Sequence, residues 1–157
     1  MTPTLNDPES GLLNGDYFRA SVPNRVATAR RLLRPLSVVL MMTGDSSAHP
    51  ARCMPEEARI IAETLLRTLR ESDIPCRLED GGFGLILEDT PENGAVWTIE
   101  RLRRLLVDQG VDLTIWAGIA AYPAHALEAN ELLQKAQQAL ANALEWAQSR
   151  IEVAIPE

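Results

Sequence analysis

The apolar run Leu36–Met42 constrains the fold of this chain more than any other feature of its sequence. Six of its seven residues are apolar, and two of these are adjacent valines. Such a run is typical of a strand buried within a sheet, because a strand with one face in water alternates apolar and polar residues. The run therefore predicts a buried strand, and the segments on either side of it predict what packs around it.

Apolar periodicity and breaker residues predict the order α β α ββ α β α β along the chain. The predicted helices cover Asp16–Leu33 with an interruption at Pro23, Pro55–Arg70, Glu92–Val107 and Ala126–Gln148. The further predicted strands cover Cys76–Leu78, Phe83–Leu87, Leu113–Ala121 and, as a short edge strand, Ile151–Ile155. This order predicts an α+β fold of ferredoxin-like type, with a mainly antiparallel central sheet flanked by helices. The length suits a single domain over residues 1–157.

The charge balance and hydropathy limit the partners of the protein. The 22 acidic residues outnumber the 15 basic ones and give a net charge of −7. Nucleic acids are bound through a positive field, so general nucleic-acid binding is not expected. A small anionic ligand held by a few local arginines remains compatible with this charge. No apolar run approaches the roughly 20 residues that span a bilayer, so membrane insertion is not expected.

The cysteines and histidines do not predict a disulfide framework or a metal site. Cys53 and Cys76 are too few for a disulfide scaffold. His49 and His125 do not combine with them into a spacing that is typical of zinc sites. The first ten residues are polar and do not predict a secretory signal, so we expect a cytoplasmic protein.

Six short motifs follow one another in a specific order between Asp7 and Val153. They are Asp7–Asn14 with Tyr17-Phe18, Pro35-Leu36-Ser37, Arg70-Glu71-Ser72-Asp73, the hairpin segment Glu79-Asp80-Gly81-Gly82-Phe83, Thr114–Ala120 and Ala136–Leu140. In this order and spacing they resemble the GGDEF (diguanylate cyclase-type) domain family over nearly the whole chain. The resemblance implies the nucleotidyl cyclase-type GGDEF fold and a role in bacterial signal transduction.

The resemblance also implies that the catalytic residues of the family are lost here. An active cyclase needs two carboxylates to hold divalent metal over the triphosphate. The corresponding positions in this chain are Met42 and Gly81, and the hairpin glycines that let the nucleotide approach are replaced by Glu79 and Asp80. The phosphate-binding lysine of the last helix corresponds to Leu144. We therefore expect no catalytic residue, no metal ligand and no magnesium cofactor.

Two alternatives would preserve some catalytic chemistry. A shifted register that takes Gly81-Gly82 as the glycine pair places Phe83 and Gly84 where acids are needed, so it restores nothing. A lone Asp45 or Asp80 could instead serve as an unusual metal ligand. With such a ligand, the chain would be a residual diguanylate cyclase.

A ligand site of the family corresponds to Arg70, Asp73 and Arg101. The first two form the Arg-x-x-Asp motif of the inhibitory site, where the family binds cyclic di-GMP, and Arg101 matches a second arginine of that site. A guanidinium can hold a guanine edge or a phosphate with two hydrogen bonds, and a carboxylate can accept from guanine N–H groups. The alternative is structural. Arg70 and Asp73 could form only a surface ion pair, and Arg101 with its neighbouring arginines could be a solvated helix face.

The sequence thus favours a non-catalytic GGDEF-like signalling domain that binds cyclic di-GMP and regulates a partner or an adjacent domain. A ligand-free scaffold for dimerisation or protein interaction is the main alternative, and a residual cyclase is the weaker one. GGDEF-like domains commonly occur beside other domains, so the chain could be a segment of a larger signalling protein.

Overall fold

A computed structural model describes residues 5–44 and 54–155 of the chain. Four helices lie over Gly15–Leu32 (α1), Pro55–Thr68 (α2), Glu92–Asp108 (α3) and Ala129–Ala143 (α4). Six strands lie over Leu13–Asn14 (β1), Leu36–Gly44 (β2), Ile74–Arg77 (β3), Phe83–Glu88 (β4), Thr114–Tyr122 (β5) and Arg150–Val153 (β6). The predicted order of elements is therefore confirmed, with the two-residue strand β1 added at its start.

The strands form one sheet in the order β1-β3-β4-β2-β5-β6. β2 pairs antiparallel with both β4 and β5, and β3 pairs antiparallel with β4. The two outer pairs, β1 with β3 and β5 with β6, are parallel. The apolar run that begins at Leu36 thus forms an inner strand, and the prediction of a mainly antiparallel sheet is confirmed.

Helices cover both faces of this sheet. Val39 and Met41 of β2 point into a core shared with α2 and α3, whereas Val38 and Leu40 point into a core shared with α1 and α4. Successive side chains of a strand point to opposite faces, so an apolar residue at almost every position is what a strand between two cores requires. The two cores explain why the Leu36–Met42 run does not alternate.

Two helix predictions were wrong in detail. α1 runs without interruption through Pro23, between the buried residues Val22 and Val26. A proline inside a helix removes one hydrogen bond, and apolar burial on both sides of it opposes that cost. The last helix was predicted over Ala126–Gln148 but covers only Ala129–Ala143. Its alanine and leucine content continues past both ends, so composition alone did not locate them.

The β3–β4 hairpin places the candidate site residues at its two ends. The connecting segment Glu79–Gly82 lies at one end, beside the last residues of β2. The turn Arg70–Asp73 and the last residue of β4, Glu88, lie at the other end. We call the first the hairpin-turn end and the second the Arg-x-x-Asp end.

Candidate functional site

The turn at the hairpin-turn end is closed by backbone hydrogen bonds. Leu78 N donates to Gly82 O at 2.9 Å, and Gly81 N donates to Leu78 O at 3.0 Å. Gly81 has φ +89°, a conformation that residues with a side chain rarely adopt. The Asp80 carboxylate accepts from Gly82 N at 2.8 Å. Asp80 therefore helps to hold the turn, and an aspartate at position 81 would be strained.

Met42, which the resemblance matches to one metal-binding carboxylate, lies beside the turn that contains Gly81, the position matched to the other. Met41 pairs with Phe83, which brings Met42 to the turn. A Cβ atom on Gly82 would lie 2.7 Å from Met42 Sδ and 2.6 Å from Met41 O. Magnesium and calcium take hard oxygen ligands, and a thioether beside glycines does not fit them. The described residues also contain no cluster of three or more His, Cys, Asp or Glu side chains suited to a metal ion.

Glu79 and Arg19 form an ion pair at the rim of the same turn. Arg19 Nη2 lies 2.7 Å from Glu79 Oε1 and 2.9 Å from Asp16 Oδ1. The hydrogen bond from Arg19 lowers the pKa of Glu79, and the same bond raises the pKa of Arg19. A Cβ atom on Gly15 would lie 2.4 Å from Glu79 Oε1, so the carboxylate rests on the first turn of α1. Glu79 is thus held as an anion at the rim of the turn.

Arg77 is a buried arginine that the sequence motifs did not single out. Its side chain is 1% exposed, and its Nη2 and Nη1 atoms lie 3.3 Å from Glu9 and 3.7 Å from Asp7. Its Nε donates to Gly81 O at 3.2 Å, and its guanidinium lies over the Phe83 ring. Arg77 therefore connects the first motif of the chain to the hairpin. The sequence did hold a signal for this contact: a basic residue near the hairpin turn and two acidic residues in the opening motif. A buried charge needs partners, so these residues could have been predicted to meet.

At the Arg-x-x-Asp end, the structure brings Arg70 and Asp73 together, as the motif predicted. The Asp73 side chain is 5% exposed, and Arg70 Nε lies 3.6 Å from Asp73 Oδ2. Asp73 accepts from two backbone amides, those of Arg70 at 3.0 Å and Glu88 at 3.2 Å. Arg70 Nη2 donates to Thr90 Oγ1 at 2.7 Å and also to Glu88 O. Asp73 thus fixes the backbone, while the Arg70 side chain stays 56% exposed.

Arg101 lies apart from this pair. It is an exposed residue of α3, and its guanidinium carbon lies 5.9 Å from the ring centroid of Trp97, one turn earlier. Within residues 5–44 and 54–155, no hydrogen bond or ion pair joins Arg101 to Arg70 or Asp73. The three predicted ligand-binding residues therefore form one pair and one separate arginine.

The other predicted positions contribute less to a site. Leu144 follows α4 and lines the pocket described below. Burial raises the pKa of the Cys76 thiol to about 12, so this cysteine is not a nucleophile at neutral pH. His125 is buried and hydrogen-bonded to Glu92 at 2.7 Å. Asp45, His49 and Cys53 lie outside the described residues.

A pocket of about 430 Å³ opens between α1, the end of β2, the hairpin turn and α4. Most of its lining is apolar, and Leu133, Leu140 and Leu144 form the α4 side. Arg19, Glu79 and Asp80 stand at its polar rim. We call it the apolar pocket.

The helices of the described residues do not include one that is both long and apolar enough to cross a membrane.

Comparison with known proteins connects this geometry to one family. The family model described as "Diguanylate cyclase, GGDEF domain" matches residues 58–150, more than half of the chain. No curated protein matches the chain.

Solved structures match over almost the whole chain. The GGDEF domain of YfiN (TpbB) from Pseudomonas aeruginosa has a TM-score of 0.83 at 22% identity, with 96% of this chain and 94% of that chain covered. The GGDEF domain of DgcB from Caulobacter crescentus, solved with c-di-GMP, has a TM-score of 0.79 at 14% identity, with 98% and 96% covered. SiaD from P. aeruginosa, a diguanylate cyclase solved with its activator SiaC, has a TM-score of 0.77 at 19% identity, with 96% and 62% covered. At these identities the matches establish the fold.

Proposed function

The chain belongs to the GGDEF (diguanylate cyclase) family, and from that premise we propose that it is a non-catalytic signalling domain of the family. One observation carries the proposal. The resemblance matches Met42 and Gly81 to the family's metal-binding carboxylates, and Glu79 and Asp80 add negative charge at the same turn. A divalent ion there would lack hard anionic ligands, and a triphosphate would meet like charge.

The catalytic half of the proposal is tested by GTP turnover. Purified protein is incubated with GTP and either magnesium or manganese, and products are separated by chromatography. We expect no pyrophosphate release and no cyclic di-GMP above a heat-inactivated control. Metal-dependent turnover that Asp80→Asn removes would overturn the proposal and identify Asp80 as a ligand of a residual cyclase.

We propose further that the domain binds cyclic di-GMP at the Arg-x-x-Asp end through Arg70 and Arg101, with Asp73 positioning Arg70. Arg70 is exposed and carries donors for a guanine edge or a phosphate. Arg101 is exposed on α3, and it lies beside the exposed Trp97, whose ring offers a stacking surface. A cyclic dinucleotide, as in the DgcB structure, is the ligand class that these groups suit.

Calorimetric titration with cyclic di-GMP tests this binding. Arg70→Ala and Arg101→Ala are each expected to weaken binding at least about tenfold, the loss for one good charged hydrogen bond. Two exposed arginines, Arg67 in the last turn of α2 and Arg104 on α3, give matched controls. Arg67→Ala and Arg104→Ala should leave the affinity unchanged. Equal losses in all four variants would mean general electrostatic attraction and would contradict the assignment.

A ligand-free scaffold is the second candidate, and the contacts of Asp73 favour it. Both Asp73 oxygens already accept backbone hydrogen bonds, which is what a structural motif requires. SiaD is a relative of this fold that was solved with a protein partner. The scaffold predicts no heat with cyclic di-GMP at concentrations that detect micromolar binding. Light scattering after size-exclusion chromatography would then give the oligomeric state directly.

A further inference from the structure

Helix α4 carries more apolar surface than it needs to pack on the sheet. One stripe, fully buried, faces the core and consists of Leu132, Ala136, Ala139 and Ala143. A second stripe of half-buried leucines lies beside it and lines the apolar pocket: Leu133, Leu140 and Leu144. Residues spaced by three, four and seven share one side of a helix. The second stripe therefore presents a mainly apolar wall to the pocket, with Gln137 as its polar member.

The remaining walls of the pocket are also apolar. Phe18 comes from α1, Leu40 and Met42 from β2, and Leu78 from the start of the hairpin turn. Small-molecule sites are typically concave, largely apolar cavities of about 300–1,000 Å³ with a few polar groups that orient the ligand. The apolar pocket, at about 430 Å³, has this size and this distribution of polar groups.

The rim of the pocket has a negative charge excess. Glu79 and Asp80 contribute two carboxylates, and Arg19 is the one cation among the described residues that line the pocket. Arg19 is already paired with Glu79 and with Asp16, at 2.7 Å and 2.9 Å. Anionic ligands, nucleotides included, are therefore disfavoured, and a positive group near Asp80 is favoured.

Two side chains that line the pocket, Glu79 and Met42, each pack against a glycine. An added Cβ would lie 2.4 Å from Glu79 Oε1 at Gly15 and 2.7 Å from Met42 Sδ at Gly82. A larger residue at either glycine would therefore meet a side chain that lines the pocket.

We propose that the apolar pocket is a binding site for a small amphipathic cation, with its apolar body against the α4 leucines and its positive group at Asp80. This site uses none of the residues assigned to cyclic di-GMP, so the two proposals stand or fall separately. It occupies the region in which the family binds its nucleotide, with the opposite selectivity for charge.

The apolar part of the site is tested with the neutral dye N-phenyl-1-naphthylamine, whose fluorescence rises in apolar surroundings. Ala141→Phe fills the pocket from an exposed position of α4, and Ala27→Phe makes the same change on α1 outside the pocket. Dye affinity should fall at least about tenfold in Ala141→Phe and stay unchanged in Ala27→Phe. Thermal melts show that each variant is folded before its binding is compared. No dye binding to the unchanged protein, or equal loss in both variants, would overturn the proposal.

The charge selectivity is tested by displacing the dye with two amphiphiles of equal length below their micelle concentrations. Octyltrimethylammonium should compete about fivefold better than octyl sulfate, as expected for a partly exposed charge pair. Asp80→Asn keeps the acceptor for Gly82 N and removes the charge. It should abolish the preference for the cationic amphiphile. Equal competition by the two amphiphiles with the unchanged protein would refute the cationic assignment.

Discussion

The two ends of the β3–β4 hairpin differ in how their polar side chains are used. At the hairpin-turn end, Glu79 is 63% exposed and pairs with Arg19 beside an apolar cavity. At the Arg-x-x-Asp end, Asp73 is 5% exposed and accepts two backbone amides while it contacts Arg70. Both carboxylates belong to motifs of one family, but Asp73 is buried and joins the backbone at Arg70 to the end of β4, whereas Glu79 is mostly in solvent.

This difference shows that two acidic residues in family motifs differ in how much the fold depends on them. Removing Asp73 leaves two amides without acceptors, whereas removing Glu79 leaves Arg19 its second partner, Asp16. Position 79 can therefore vary at small cost to folding. Position 73 cannot, even if no ligand binds there. Variants at the two ends should separate these roles.

Gly118→Ala should have the largest effect, and it acts on the hairpin-turn end. An added Cβ would lie 2.2 Å from Leu140 N and 2.4 Å from Ala136 O, both backbone atoms of α4. The helix would have to move away from β5 and take one wall of the apolar pocket with it. We expect a loss of about 3 kcal/mol in the free energy of unfolding, measured in urea. Dye binding should weaken in the folded fraction, and binding at the Arg-x-x-Asp end should not. An unchanged free energy of unfolding would mean that α4 does not pack against Gly118.

Asp73→Ala should cost about 2 kcal/mol of unfolding free energy, because two backbone amides lose a charged acceptor. Asp112→Ala, which removes an exposed aspartate, is the matched control and should change stability by less than about 0.5 kcal/mol. Urea unfolding of the three proteins gives the comparison. If Asp73→Ala is as stable as the control, the Asp73 carboxylate does not stabilise the fold and the prediction is wrong.

Thr90→Val should lower the free energy of unfolding by about 1 kcal/mol. It also tests whether Thr90 orders the Arg70 side chain. The Thr90 hydroxyl accepts from Arg70 Nη2 and donates to Glu88 O, both at 2.7 Å. Valine keeps the shape and removes both bonds, so Arg70 becomes less ordered. If Arg70 binds cyclic di-GMP, calorimetry should show an affinity loss of several-fold in this variant. An unchanged affinity together with reduced stability would show that the threonine acts on the fold alone.

The sequence predicted the order of elements and the proximity of Arg70 to Asp73, because both follow from local spacing. Apolar periodicity located β2, and a three-residue spacing across a turn brings the motif side chains together. The sequence did not predict that both Asp73 oxygens accept backbone amides. One of the two donors, the Glu88 amide, lies fifteen residues away along the chain. Arg77 was missed for the same reason, because its acidic partners lie in the opening motif and only the fold brings them near.

Glu79→Gln should have the smallest effect, and its pH dependence distinguishes it from the variants at the other end. Arg19 lowers the pKa of Glu79 in the folded state. The pair therefore stabilises the fold at pH values above the ordinary pKa of a glutamate, and this contribution disappears as the pH falls through the lowered value. Because both side chains are more than half exposed, we expect less than about 1 kcal/mol at pH 7 and less again in high salt. Unfolding of the protein, Glu79→Gln and the exposed control Glu145→Gln, compared between pH 7 and pH 3, measures the contribution. A difference from the control that is the same at both pH values and unchanged in high salt would mean that Glu79 acts through packing on Gly15 and not through its charge.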